Sequence, residues 1–436
     1  MGREFFLNDL NITNYFLFTL FHHDVSSVDD DSYYNTNELY SKTIRPINQK
    51  NLIKNIADSL YEIVTENLLD HNDSQISLTL TGGMDSRIIL ACLLKAGIKP
   101  NCFTYGCHKA GDIYFAKKIA VDFGLNFHNA IKNKPNSKWY YKWVKETIKR
   151  DNGKSHLHRA HRTAAIAEHV QKYSPKVLFT GHMGGEGLRG LSFNNYFTSN
   201  FFKYVNENRE KPFDAAKKVL DTYFIKYETS DLQRLMEKIA NLSWMQHKRD
   251  INILFLLYDL VGKVHHTQDI RLYSTYVPSV VPVYLQKKYL DVLFCSPYHF
   301  LAKRKKLLGR LANPYVHCKL IEILYPELLN YPLSNGYRPS EYLKGLWYYV
   351  PIKTVRSFRQ QKKFSPTFSY GQWFVDFIRE HSANISPDIW EIYNRTKYFY
   401  ALKEENHKTD EGYWHKFSNP IFFDLVEKQK KGVLSE

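Results

Sequence analysis

Apolar positions set the first element. Leu52, Ile53, Ile56, Leu60, Ile63, Val64, Leu68 and Leu69 recur at helical spacing and predict an amphipathic helix over residues 51–70. Ile76 to Leu80 follows as an apolar, β-favouring run that ends in a glycine-containing turn, Thr81 to Ser86, and Arg87 to Leu94 restarts with helix formers. Gly97 and Pro100 punctuate the chain before Cys102 to Gly106, which predicts a second strand. A helix over Asp112 to Phe123, a short strand at Leu125 to Phe127, a helix over Leu157 to Gln171 and a buried strand at Val177 to Thr180 complete the alternation. Strand and helix in turn predict an α/β fold with a parallel sheet and helices on both faces.

Beyond residue 200 the period becomes helical. Lys217 to Tyr227, Asp231 to Ile239 and Asp250 to Val261 carry apolar residues at helix spacing, and Tyr276 to Tyr284 is punctuated by proline. The predicted organisation is a segment at 1–50, aromatic at first and then polar and acidic, an α/β core at 51–195, and a mainly helical lobe at 196–436.

Composition narrows the class. With 44% hydrophobic residues the chain has enough apolar side chains for a sizeable core. Five cysteines without a CxxC pair argue against a disulfide framework and against a zinc site, and point to a reducing compartment. Apolar runs such as Ile251 to Leu257 are far too short for a membrane span, so the reading is cytoplasmic. The net charge of +16 fits either a lysine-rich surface or attraction to an anionic partner, nucleic acid included.

The chemistry concentrates in two glycine-rich turns. Gly82 and Gly83 let the first turn bend tightly and approach a ligand, and the amides that open the next helix suit an anion. Thr81 and Ser86 add hydroxyls, and Asp85 adds a carboxylate of the kind that holds Mg²⁺ against phosphate oxygens. The second turn, Gly181 to Gly190, also follows a strand; it carries His182 and one acid, Glu186. The Walker loop and the three-glycine dinucleotide fingerprint are both absent.

Thr81-Gly-Gly-Met-Asp-Ser resembles the PP-loop, S/T-G-G-x-D-S, of N-type ATP pyrophosphatases, and Arg87 directly after it is most similar to the asparagine-synthetase branch, which includes β-lactam synthetases and lasso-peptide cyclases. The resemblance covers the synthetase half only, because residue 2 is Gly and no nucleophilic Cys opens a glutaminase domain. It implies an adenine-nucleotide α-hydrolase-like sheet that binds ATP through Leu80, Thr81, Gly82, Gly83, Asp85, Ser86, Thr104, Tyr105 and Gly181. Thr180 to Glu186 resembles the second motif, S/T-G-x-G-S-D-E. Gly185 stands where the family has its metal-binding Asp, which leaves Glu186 as the second Mg²⁺ ligand beside Asp85. His182 occupies the variable position next to the reacting centre and suits removal of a proton from an amine.

Lys306 and Arg310, one turn apart in KRKKLLGRL, resemble a helix that brings cations to the α-phosphate, and Lys363 in QKKFSP is a rival for the same role. Tyr276 to Tyr284 resembles the family's R-V-P-F-L-D segment without its final acid. His156, His158 and His161 have spacings that suggest a metal cluster, but Cys and carboxylate companions are missing, and a substrate-facing role suits the segment better. The family reading implies a ligase that adenylates a carboxylate, releases pyrophosphate and passes the acyl group to ammonia, to ammonia from a separate glutaminase, or to a primary amine. Two rival readings are a tRNA-modifying PP-loop ligase, favoured by the charge, and a degenerate ATP-binding module that acts through a partner.

Overall fold

The computed structural model describes residues 51–69, 71–106, 110–131, 135–189, 211–230, 232–233, 267–299, 306–333, 336–363, 371–404 and 411–434. The segment 1–50, the helix expected at Asp250 to Val261, most of that at Asp231 to Ile239 and the cations 303–305 lie outside these residues.

Helix α1 (Leu52–Glu66) leads into β1 (Ile76–Thr79), and the chain continues through α2 (Met84–Lys95), β2 (Asn101–Tyr105), α3 (Gly111–Asp122), β3 (Phe127–Ala130), α4 (Ser137–Asp151), α5 (Ala160–Tyr173), β4 (Val177–Thr180) and α6 (Gly184–Arg189). Then come α7 (Pro212–Thr222), α8 (Thr267–Ser274), β5 (Ser279–Pro282), α9 (Lys287–Phe294) and α10 (Lys306–Leu324). The last elements are α11 (Pro339–Leu343), α12 (Leu346–Lys363), α13 (Gly371–Ser382), α14 (Ile389–Ile392), α15 (Arg395–Glu404) and α16 (Glu411–Lys430).

The five strands form one parallel sheet in the order β3-β2-β1-β4-β5, with Leu78 opposite Cys102 on one side and Phe179 on the other. Side chains alternate across it. Ile76, Leu78, Cys102, Val177 and Phe179 join α1, α2, α9 and α10 in the larger core, while Phe103 and Leu178 pack on the opposite face with Ile166 of α5 and Tyr273 of α8. A sheet covered on both faces has no exposed polar alternation, which is why its strands read as short apolar runs. A second core joins α4, α7, α13 and α16 around Tyr140, Val219, Phe377 and Trp414.

Several elements depart from the expected ranges, four of them in ways that the local sequence explains. The third strand begins at Phe127 because Leu125 N–H still closes α3 on the Ala120 carbonyl and Gly124 takes φ +63°. Helix α7 covers Pro212–Thr222 and not Lys217 to Tyr227; Pro212 opens it, and Phe224, at φ +61°, lies past its end. The segment Tyr276 to Tyr284 supplies a fifth strand from beyond residue 196, and its prolines fit because β5 lies at the sheet edge. Of the short cationic helix expected at Lys303 to Leu311, the described part from Lys306 on is the start of α10, which runs on through Pro314 to Leu324.

Cys92, Cys102 and Cys318 are buried, free thiols. Among the described residues no helix is long and apolar enough to cross a membrane.

Candidate functional site

Neighbouring strands whose connections depart to opposite sides of a parallel sheet leave a crevice beyond their carboxyl ends. In this sheet that switch point lies between β1 and β4. The two glycine-rich turns follow these two strands, so sequence motifs far apart in the chain open onto one crevice.

The first turn is held by its own hydroxyls. Ser86 Oγ accepts from Thr81 N–H at 3.0 Å and lies 3.1 Å from Thr81 Oγ1, which accepts from Gly83 N–H at 3.2 Å. Leu80 N–H extends the ladder to the Phe103 carbonyl at 2.9 Å. Gly82 is required by its surroundings, since a Cβ there would stand 3.0 Å from Asp112 Cα at the start of α3. Gly83 is the N-cap of α2, so the unpaired amides of a twelve-residue helix open beside the turn.

The second turn touches the first. A Cβ on Gly181 would lie 3.1 Å from Ser86 N, and one on Gly184 would lie 2.7 Å from both Asp85 Cβ and Tyr284 Cε2. Glycine at these positions lets the two turns pack backbone against backbone. Between them Met183 takes φ +69°, a left-handed conformation that costs a side-chain-bearing residue energy. Thr180, at the end of β4, is wholly buried with its hydroxyl unbonded among the described residues. A buried polar atom at the mouth of a crevice is the kind of group that a bound ligand satisfies.

Asp85 stands in the first turn of α2 with its side chain partly exposed. Its Oδ1 accepts from Nε2 of His317 at 2.9 Å, and its carbonyl accepts from the Tyr284 hydroxyl at 2.8 Å. Burial, and then the Asp85 charge, push the Tyr284 phenol well above its ordinary range, so it stays a donor. His317 lies fully buried on α10. Sequence reasoning missed it, because the pair spans 232 residues and nothing in its local pattern marks it.

His182 is the second finding. Its Nε2 lies 3.2 Å from Oδ2 of Asp269, a wholly buried carboxylate on α8. Arg159 reaches the same oxygen at 3.3 Å, and Arg162 pairs with it as well. Asp269, Arg159 and Arg162 were not among the expected site residues. The aspartate lies against the imidazole, and its buried carboxylate is shared with two arginines.

Thr104 and Tyr105 close β2 at the carboxyl end of the sheet, and the Tyr105 ring meets His161 edge-on at 5.4 Å. Burial, followed by Arg162 and Arg159, holds the His161 imidazole well below its ordinary value, so it is neutral. His156 Nδ1 lies 2.8 Å from His158 Nδ1, and its Nε2 lies 2.9 Å from Asn419 Oδ1 on α16. Among the described residues no group of three or more His, Cys, Asp or Glu is placed to hold a metal ion, so the histidine spacing does not build one.

Of the expected Mg²⁺ ligands only Asp85 has a described side chain. Glu186 lies in α6, Lys306 and Arg310 in the first turns of α10 and Lys363 at the end of α12, with their side chains outside the description. The residues present fit a phosphate-bearing ligand with a divalent cation: a partly exposed carboxylate beside helix amides, in a turn whose glycines leave the backbone bare.

The chain matches no family model and no curated protein.

Proposed function

We propose that this chain is an ATP-dependent, AMP-forming carbon–nitrogen ligase on an adenine-nucleotide α-hydrolase-like core, of the asparagine-synthetase kind. The observation that carries the reading is the meeting of two glycine turns at the switch point, one bearing Asp85 and the other His182. An arbitrary βα turn has no need of a second glycine turn packed against its backbone.

The amides that open α2 and the hydroxyls of Thr81 and Ser86 bind the β and γ phosphates of ATP. Thr104 and Tyr105, at the end of the neighbouring strand, border the adenine, and the backbone around Gly181 closes on the nucleotide. Asp85, with Glu186 as its partner from the second turn, holds Mg²⁺, which when bound neutralises charge on the phosphate oxygens. A substrate carboxylate oxygen attacks the α-phosphorus; the bond from that phosphorus to the bridging oxygen breaks and pyrophosphate leaves. Lys306, Arg310 or Lys363 meets the negative charge on the α-phosphate.

An amine then attacks the acyl carbon of the adenylate. His182, oriented through Nε2 by Asp269, accepts the amine proton at Nδ1, and AMP departs as the amide forms. The amine is ammonia, delivered free or by a separate glutaminase, or a primary amine on a larger molecule.

The test is exchange of labelled pyrophosphate into ATP, run with pooled carboxylic and amino acids and separately with bulk tRNA. Exchange that depends on a carboxylate is the expected result. Exchange with tRNA alone would move the protein to the RNA-modifying PP-loop ligases, and ATP binding without any exchange would make it a binding module.

A further inference from the structure

Arg87 is fully buried, yet no carboxylate pairs with it among the described residues. Its guanidinium donates to four backbone carbonyls. One is Gly82 O, in the first glycine turn, at 3.0 Å. The other three belong to a single distant segment: Leu328 O at 3.3 Å, Tyr331 O at 2.6 Å and Pro332 O at 3.1 Å. Burial lowers its pKa to about 10, so the group keeps its charge at neutral pH. Burying a cation among neutral acceptors is costly, and leucine or methionine would fill the volume more cheaply.

The geometry gives the cation a use. A trans peptide points its C=O and N–H in opposite directions, so capturing the Gly82 carbonyl from below turns the Gly83 N–H the other way, toward Thr81 Oγ1 inside the turn. The segment that supplies the remaining acceptors is anchored independently. Leu328 and Leu329 are buried in the larger core, Leu333 N–H bonds the Tyr337 carbonyl, and the Tyr331 ring packs on Phe123 at 5.6 Å. With no carboxylate paired to it among the described residues, the positive charge also sits directly behind the turn that faces the crevice.

We propose that Arg87 is a positioning residue that couples the conformation of the Thr81–Ser86 turn to docking of the Leu328–Pro332 segment. Each stabilises the other through one guanidinium, and an anion bound in the turn is strengthened by both the fixed peptide and the charge behind it. By linkage, ligand binding in the turn tightens the distant segment. This deepens the ligase reading, on which its nucleotide part rests; the coupling itself does not need it.

The experiment compares wild type, Arg87→Lys and Arg87→Met as full chains, each shown to be folded by circular dichroism. Without ligand, hydrogen exchange is followed in peptides covering 81–87 and 326–333. In Arg87→Met both segments are expected to exchange faster together; loosening of one alone overturns the coupling. Next, Mg·ATP and inorganic pyrophosphate are titrated by calorimetry. Arg87→Met is expected to bind about tenfold or more weakly, the loss of a charge-assisted bond. Arg87→Lys should recover part of the affinity, because it keeps the charge and one donor. Binding to wild type should protect 326–333, and this protection should vanish in Arg87→Met. Wild-type affinity in folded Arg87→Met overturns the proposal even if that variant melts earlier. Should Arg87→Met fail to fold, Arg87→Lys gives the same two readouts. If wild type binds neither ATP nor pyrophosphate, the ligase reading falls, and the ligand-free exchange still decides the coupling.

Discussion

His317 Nε2 donates to Asp85 Oδ1 across 2.9 Å, from a fully buried position on α10 to a carboxylate at the mouth of the crevice. One oxygen of the proposed metal ligand is thereby held by the helical part of the chain, which fixes the direction of the other. Asp85→Ala is expected to abolish Mg·ATP turnover, and normal turnover in that variant would sink the phosphate-turn assignment. His317→Ala is expected to raise the Mg²⁺ concentration needed for pyrophosphate exchange by about 10- to 100-fold, the affinity cost of losing an outer partner. Titration of Mg²⁺ at saturating ATP checks this.

The His182–Asp269 contact separates the two half-reactions. His182→Ala and Asp269→Asn should both leave carboxylate-dependent pyrophosphate exchange near wild type. Amide formation should fall by roughly 10²- to 10⁴-fold, the usual contribution of a general base. Equal loss of both activities would mean that these residues serve binding or folding and not proton transfer.

Gly184 tests the contact between the turns. An alanine methyl at this position would have to enter 2.7 Å from both Asp85 Cβ and Tyr284 Cε2, so the turns must separate. Gly184→Ala is expected to lower stability by about 1–3 kcal/mol, the range for overpacked sites, and to lower exchange further than the stability loss explains. Thermal melts and exchange rates on the same preparation distinguish this from unfolding alone. Gly97, with open space around its Cβ position, is the control for added volume, although its φ of +78° carries a backbone cost of its own.

Much of this architecture was legible because the signals were local. The strand at Val177–Thr180 and the glycine turns were readable from apolar runs and breakers. What escaped was long-range. Asp269 and His317 are ordinary residues in ordinary helices, and only the fold brings them to His182 and Asp85. β5 escaped because its prolines argue against a strand until the sheet edge is known. Arg87 was visible as a residue after the turn, but its burial among carbonyls could not be read from one sequence.

Asp151 gives a pH prediction away from the crevice. At the end of α4 it is 5% exposed, and burial pushes its carboxyl up to about 6 from 3.8, with Ser155 and Arg271 offsetting part of the shift. The folded chain therefore holds this proton where the unfolded chain has released it. The stability it contributes is fully present below about 3.8 and is lost as pH rises through about 6. Compared with Asp151→Asn, wild type should be similar at about pH 4 and less stable by on the order of 2 kcal/mol at about pH 8. Denaturant melts of both proteins across that range check the sign, and a difference that grows on acidification would refute it.

Asp85, in the turn at Thr81–Ser86, is bonded by His317, 232 positions later in the chain, and Arg87, directly after the turn, donates to carbonyls 241 to 245 positions later. During synthesis the glycine turn therefore emerges long before His317 and the Leu328–Pro332 carbonyls exist to brace it. Contacts of such sequence separation form late and slowly. The nascent chain passes through a long interval in which the turn has only its own hydroxyls to hold it, and its distant supports arrive when the greater part of the molecule has folded around it.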